Sequence, residues 1–347
     1  MSTTNRAWEI GEQFGLDHLR KVDREPFGDP GPGQIRLRVE ACSLNFRDLL
    51  MVEGNYDPRL KLPMVPLSDG AGIVEAVGEG VTRVAVGDRV CGCFAPVWFA
   101  GEPDRTALRT TRGGPLPGFL QETMLLDAEG VVKAPAHLSA EEAATLPCAA
   151  LTAWSALVEL GGLRAGDVVL VQGTGGVSIA ALQLANLFGA KVIVTSSSDA
   201  KLEKATALGA WKTINYRSDE SWGKTAGGYA RELTGRGVDH IVEVGGAGTL
   251  DQSLRAVRAG GHIAMIGILA GVKSSVALTK ILMSQIRVQG VLVGHRAGFE
   301  AMNRAIVAHG MKPVVDKVFA FDETVEAFEY LKSGKHFGKN VIRVGAS

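Results

Sequence analysis

The stretch from Asp167 to Ala185 restricts the fold more than any other part of the chain. Val168 to Val171 is an unbroken run of branched aliphatic residues, the pattern of a strand buried on both faces. It breaks at Gly173, Gly175 and Gly176, then resumes from Val177 to Phe188 with apolar residues at helical spacing. A strand, a glycine turn and a helix start place unpaired backbone N–H groups and a positive dipole end at one point, where a pyrophosphate can be held. The third small position of the turn is Ser178, which still permits close packing of helix on strand. A glycine turn that binds no nucleotide has the same local signature, so the context decides.

That context repeats. Strand-like runs follow at residues 191–195, 212–215, 239–244, 262–266 and 288–293, separated by helical stretches at 200–208, 221–234 and 249–257. Six strands alternating with helices predict an α/β fold with a Rossmann-type, doubly wound, six-stranded parallel sheet and hence a dinucleotide cofactor and redox chemistry. The N-terminal part reads differently. Short alternating strands at 34–41, 72–77, 89–92 and 121–126 are punctuated by Asp29-Pro-Gly-Pro-Gly33, Gly78-Glu-Gly80 and Val86-Gly-Asp88, the signature of a β-rich, barrel-like unit. An amphipathic helix at 297–309 and strands at 313–321 and 340–344 return to it. The expected division is residues 1–148 with 295–347 as one domain and 149–294 as the other, with ligands held in a cleft between them. In the loop 96–118, Trp98 and Phe99 either flank a pocket or anchor the loop.

The charge balance removes some function classes. With 37 basic and 37 acidic residues, no surplus favours nucleic acid or an anionic membrane. No apolar run is long enough to span a membrane. The first eight residues lack a signal-peptide apolar core, and four cysteines show no C-x-x-C pair, so a cytoplasmic location is expected.

Four passages then carry a family resemblance: Ser43-Leu-Asn-Phe-Arg-Asp-Leu49, Asp69-Gly-Ala-Gly-Ile-Val-Glu-Ala-Val-Gly78, Gly87-Asp-Arg-Val90 and the glycine turn, joined by the tail His336-Phe-Gly-Lys-Asn-Val-Ile342. Along nearly its whole length the chain resembles the medium-chain dehydrogenase/reductase superfamily. It looks most like the zinc-free, quinone-oxidoreductase and enoyl-reductase-like branch, itself alcohol-dehydrogenase-like. The resemblance implies a GroES-like catalytic domain beside the dinucleotide-binding one.

By position, the catalytic zinc ligands of related enzymes fall on Asn45, Ser68 and Cys148. Only the cysteine is a good ligand, so no metal site is expected. The Cys91-Gly-Cys93 pair is too few for a structural zinc lobe, and the hydroxyl of the family's proton relay falls on Arg47. Without a Lewis acid, hydride must go to an acceptor that is already polarised, a quinone or an α,β-unsaturated carbonyl. Its oxygen still needs a hydrogen bond. Asn45 is the candidate donor, or else a turn-capping side chain ahead of a helix. Tyr56 is placed either to donate a proton or to pack. Asp48 reads as local support for a helix start.

The turn residues Gly173, Thr174, Gly175, Gly176 and Val177 are expected to hold the cofactor's pyrophosphate. No acid stands at the tip of the second strand, where a ribose 2′-hydroxyl would need one. Ser196, Ser197 and Lys201 can instead bind a 2′-phosphate; the resemblance implies that Tyr216 lies near it, and Arg217 adds charge. Asp199 opposes this if it points inward. NADP(H) is therefore favoured over NAD(H). The resemblance adds Thr152, Val244, Gly267, Leu269, Val293 and Lys339 to the cofactor's surroundings. Two other readings remain open: an alcohol dehydrogenase or carbonyl reductase of the same superfamily, and a nucleotide-binding protein without turnover. The expected partners are a small-molecule substrate and a second copy of the chain, paired through the last strand of the cofactor domain as a homodimer, or a tetramer built from it.

Overall fold

Alternation of apolar and polar residues in the N-terminal part produces short strands with one buried face. A computed structural model describes residues 4–345. It begins with β1 (Asn5–Ile10) and β2 (Leu19–Arg24), an antiparallel hairpin that sequence reading did not anticipate. β3 (Gln34–Ser43), β4 (Asp69–Val77), β5 (Arg89–Gly92), β6 (Thr123–Asp127) and β7 (Val131–Lys133) follow. In β3, Ile35, Leu37 and Val39 are buried, while Arg36 and Arg38 between them face outward. Such a period-two pattern leaves one face for a core. Phe119 fills a slot that only glycine leaves open: a Cβ on Gly70 or on Gly92 would stand 2.3 or 2.0 Å from its ring.

The central residues build β8 (Val168–Gln172), β9 (Lys191–Ser196), β10 (Lys212–Asn215), β11 (Val238–Glu243), β12 (Val257–Met265) and β13 (Arg287–Gly290). All six pair in parallel in the order β10-β9-β8-β11-β12-β13. Helices Gly176–Leu187, Asp199–Ala207, Trp222–Thr234 and Leu250–Ala256 connect the first five. This is the doubly wound Rossmann order. The strand order reverses at the β8–β11 pair, where such sheets take ligands beyond the strands' C-terminal ends. β13 stops at Gly290, short of the expected 293, and all four of its residues are exposed.

The chain then forms the helix Arg296–His309, β14 (Val315–Ala320), the helix Thr324–Lys332 and β15 (Lys339–Arg343). These strands join the first sheet, in the order β14-β15-β3-β4-β5-β7 with β6 on β3. Residues up to Leu151 and from Val293 onward form one unit, and Thr152–Leu292 form the other. Each has its own core. Ile35, Leu37, Val90, Phe119, Phe328 and Ile342 belong to the first, Val168, Ile193, Ile241 and Ile263 to the second. Among the described residues no helix is long and apolar enough to cross a membrane.

Candidate active site

In the first unit three distant segments meet because the sheet pairs them. β3 and β4 run antiparallel with Ser43 opposite Asp69, and β15 lies on the other side of β3 with Val341 opposite Ser43. The residues just past Ser43, at the start of β4 and at the start of β15 are thereby gathered at one corner. Asn45 stands there as the residue before the helix Phe46–Val52, in extended conformation. Its side chain makes no capping bond. The Asn45 amide donates instead to Asp69 Oδ2 (2.8 Å) and to Ser68 Oγ (3.4 Å), and its Oδ1 accepts from Lys339 Nζ (2.5 Å). The capping work falls to Asp48, which is buried and accepts from the backbone N–H groups of Asn45 (2.9 Å) and Ser68 (3.1 Å). That is a structural role for Asp48.

Lys339 is only 6 % exposed. Its ammonium donates to Leu44 O (2.6 Å) and Asn45 Oδ1 (2.5 Å) and lies 3.5 Å from Asp69 Oδ2. An ammonium has three protons, and here each faces a protein acceptor. Asp69 is fully buried, and its Oδ1 has no partner. Burial pushes its carboxyl up to about 6, against the opposing pull of Lys339 and the Asn45 amide. Beside Lys339, both side-chain polar atoms of the buried Asn340 are also without a partner. Leu67, just ahead of Ser68, is held at φ 74°, a strained backbone for a residue other than glycine.

This donor set does not fit a catalytic zinc. Asn45 and Ser68 offer a neutral amide and a hydroxyl. Cys148 alone of the three positions offers sulfur, and a catalytic zinc takes three protein ligands. Of the two carboxylates here, Asp69 already faces an ammonium and Asp48 accepts from backbone N–H groups. Among the described residues no three His, Cys, Asp or Glu side chains converge to hold a metal.

Arg47, at the position of the family's relay hydroxyl, donates to Arg112 O (2.9 Å) and Gly114 O (3.3 Å). Its guanidinium lies 4.9 Å from the Tyr56 ring and 5.0 Å from the Phe94 ring. Tyr56 is 44 % exposed, so its ring rests on a cation while part of its surface stays open. Trp98 packs edge-on against His295, and Phe99 lies under Arg296. Neither ring is buried, and both tie their loop to the start of the helix Arg296–His309 through backbone bonds from Arg296 and Ala297.

In the second unit, β8 ends in Gly173 at φ 72°, Thr174 follows, and Gly175 precedes the helix without a side-chain cap. The first-turn N–H groups of Gly176 and Val177 therefore have no side-chain acceptor of their own. Ser178 takes the third small position. It is buried, and its Oγ donates to Gln172 O (2.6 Å), fixing the helix against the strand. Ser196 ends β9, and Tyr216 N donates to Ser196 O (3.1 Å), so Ser196, Ser197 and Tyr216 share one loop cluster. Lys201 sits in the first turn of the next helix. Asp199 accepts from Asn215 Nδ2 (2.7 Å), so its carboxylate is turned toward the β10 end.

Gly267 approaches so closely that a Cβ there would stand 2.5 Å from Val244 O, and Leu269 N donates to that same carbonyl (3.2 Å). Val244, Gly267 and Leu269 thus form one backbone ledge past β11 and β12. Thr152 is buried at the start of the second unit. Val293 opens the returning segment of the first unit at φ 53°, a strained value for a β-branched residue.

Sequence reading missed the convergence of Asp69 with Lys339, the stacking of Arg47 on Tyr56, and a network under the ledge. Glu243 ends β11 fully buried, bonded to Gln172, Ser253 and Thr249 and to the N–H groups of Gly245 and Gly246. A visible signal existed for part of this network: Gln172 is the polar last residue of the otherwise apolar β8.

Comparison with known proteins agrees with this anatomy. The family model "Alcohol dehydrogenase GroES-like domain" matches residues 31–136, and "Zinc-binding dehydrogenase" matches residues 176–308. A Schizosaccharomyces pombe relative described as a zinc-type alcohol dehydrogenase-like protein is 43 % identical, covering 96 % of this chain and 97 % of its own. An acryloyl-coenzyme A reductase of Metallosphaera sedula is 30 % identical over 94 % of this chain and 97 % of its own. A solved structure from Sinorhizobium meliloti 1021, whose proposed identity is an alcohol dehydrogenase, superposes with a TM-score of 0.91 at 45 % identity, over 99 % of both chains.

Proposed function

The chain belongs to the medium-chain dehydrogenase/reductase superfamily as an alcohol-dehydrogenase-like oxidoreductase, and from that premise we propose that it reduces quinones or α,β-unsaturated carbonyls with NADPH and without catalytic zinc. One observation carries this reading: the Lys339 ammonium, bonded to Asn45 and beside Asp69, supplies the positive charge at the corner where relatives would need a metal. A donor set so arranged favours an acceptor activated by its own conjugation. The acryloyl-coenzyme A reductase relative supports the same chemistry.

When bound, the nicotinamide supplies hydride. The protein does the rest. The turn from Gly173 to Val177 binds the pyrophosphate by backbone N–H groups. Ser196, Ser197, Lys201 and Tyr216 surround the 2′-phosphate, with the Asp199 carboxylate engaged by Asn215. The ledge of Val244, Gly267 and Leu269, with Thr152 of the same unit, would hold the nicotinamide. Asn45 donates to the substrate oxygen through the N–H now held only by the 3.4 Å contact to Ser68. Lys339 acts through Asn45: a cation on Oδ1 polarises the amide and strengthens its N–H groups as donors. Tyr56, resting on Arg47, is the proton donor we assign to the α-carbon or the oxygen of the acceptor.

The assay is NADPH oxidation by the purified protein against quinones, enones and simple ketones, before and after dialysis against a chelator. Activity with the conjugated acceptors that survives chelation supports the reading. Activity lost to chelation and restored by zinc, with ethanol oxidised, overturns it. Lys201→Ala should raise the KM for NADPH about tenfold, the worth of one charge-assisted bond, while leaving NADH unchanged. Equal effects on both cofactors would remove the phosphate-site assignment.

We further propose that two copies pair along β13. Its residues are all exposed, and Leu278, Leu282, Met283 and Leu292 add exposed apolar surface nearby. Light scattering should give twice the chain mass, falling to one chain in Leu282→Glu. The four buried cysteines form no disulfide, which suits the cytoplasm.

A further inference from the structure

A parallel sheet has two ends, and the proposed cofactor residues of this unit lie past one of them. The strand starts share the opposite end. There the chain places Asp167 ahead of β8, Arg236 ahead of β11, Asp239 and His240 within β11, Arg258 and His262 in β12, and Arg287 at the first position of β13. With Arg164 and three glycines they line a cavity of about 350 Å³. Four guanidinium groups and two carboxylates leave two positive charges in excess there.

The carboxylates are already engaged. Asp239 is fully buried. Its Oδ1 meets Arg258 Nε (2.5 Å) and Arg236 Nη2 (3.3 Å), and its Oδ2 accepts from Val168 N (2.8 Å). Asp167 Oδ2 meets His240 Nε2 (3.2 Å) and accepts from Arg164 N (2.8 Å). Arg287 makes one long bond, to Leu160 O (3.4 Å). The imidazoles are the anomaly. His262 is 1 % exposed, yet neither of its ring nitrogens has a partner, and Nδ1 of the buried His240 has none. The two rings stand edge-to-face, 5.9 Å apart. Buried polar atoms without partners are rare in folded proteins and call for a ligand or water.

We propose that this cavity is a second ligand site, for a small doubly charged oxyanion, at the end of the sheet opposite the glycine turn. The chemistry excludes other classes. Among the described residues no trio of metal-ligating side chains converges, and a cation would face four arginines. An apolar ligand would leave the His262 nitrogens unpaired. An oxyanion supplies acceptors to Arg164, Arg287 and His262 together.

The site also couples to protons. Burial and then Arg287 push His262 down to about 4, and burial lowers His240 as well. Both rings are therefore neutral near pH 7 without the anion. A neutral ring offers one donor, and a protonated one offers two. The charged and titratable groups that line the cavity with His262 are Arg287 from β13, Arg258 from β12, Asp239 and His240 from β11, Arg236 ahead of it, and Arg164 and Asp167 ahead of β8. A bound dianion offsets the arginines among them and raises the ring's proton affinity. Binding then takes up a proton, and the affinity rises as pH falls.

Sulfate is the probe, because it remains a dianion across the range. Isothermal titration of the full chain with sodium sulfate, against sodium chloride at matched ionic strength, is run at pH 6 and pH 8 in buffers of different ionisation heat. The expected result is one sulfate per chain, tighter at pH 6, with net proton uptake. Arg164→Gln, an exposed change away from the β13 edge, should weaken binding roughly tenfold, the loss of one charge-assisted bond. His262→Gln should abolish the proton uptake. No saturable sulfate heat in the wild type means that water alone fills the cavity, and the proposal falls. It falls also if Arg164→Gln, folded by its unfolding midpoint, binds sulfate as the wild type does.

Discussion

Glu243 in the second unit and Asp69 in the first are both fully buried carboxylates, yet their surroundings differ. Glu243 accepts from Gln172 Nε2, Ser253 Oγ and Thr249 Oγ1 and from the backbone N–H groups of Gly245 and Gly246, all within 3.0 Å. Asp69 accepts one good bond, from Asn45, has an ammonium at 3.5 Å, and keeps one oxygen unpartnered. A buried charge is tolerated only when it is paired or hydrogen-bonded. The satisfied carboxylate acts as a clamp, fixing the ledge that begins at Val244. The half-satisfied one keeps its field and a high proton affinity. Perturbed groups of that kind mark working sites more often than scaffolds.

The comparison can be broken from either side. The largest effect should come from Glu243→Ala, which removes the shared acceptor of five donors at once. We expect a loss of about 3–5 kcal/mol in denaturant-induced unfolding. A loss under about 1 kcal/mol would show that the clamp is not structural. Next is Lys339→Met, which leaves Asp69 without a cation. It should cost about 3 kcal/mol, and Asp69→Asn in the same background should recover most of that.

The pH dependence sharpens this second case. The Asp69 carboxyl holds its proton more tightly when folded, at about 6, than in an unfolded chain. Its stabilising contribution is therefore complete below the usual carboxylate range and is lost as pH rises through about 6. Unfolding midpoints followed against pH should show Asp69→Asn gaining on the wild type over that interval. A constant difference would mean that Asp69 does not titrate there. The smallest effect is expected for Ser178→Gly, which removes the bond to Gln172 O. About 1 kcal/mol of stability should go, with NADPH affinity nearly unchanged, because the serine tethers the helix and leaves the backbone cradle intact.

The second unit was largely legible in the chain itself. Val168–Gln172 and its successors read as buried strands because a parallel strand covered on both faces must be apolar throughout. The glycine turn identified itself because Gly173 needs a positive φ. The first unit was less legible. The β1–β2 hairpin and the helix Thr324–Lys332 are short, and weak local patterns carry them. Asn45 and Tyr56 were named from their position in a motif. That Asn45 turns its amide away from capping, and that Tyr56 lies on Arg47, came only with the structure.

The sequence by itself determined the sheet of the second unit, the turn and the family, because each rests on neighbours within about thirty residues. Only the tertiary structure decided what Asp69 and Lys339 do. They are 270 residues apart along the chain and meet only because β15 and β4 both pair with β3. The same holds for the arginines and imidazoles at the strand starts, since no local pattern records which side chains parallel pairing will set side by side.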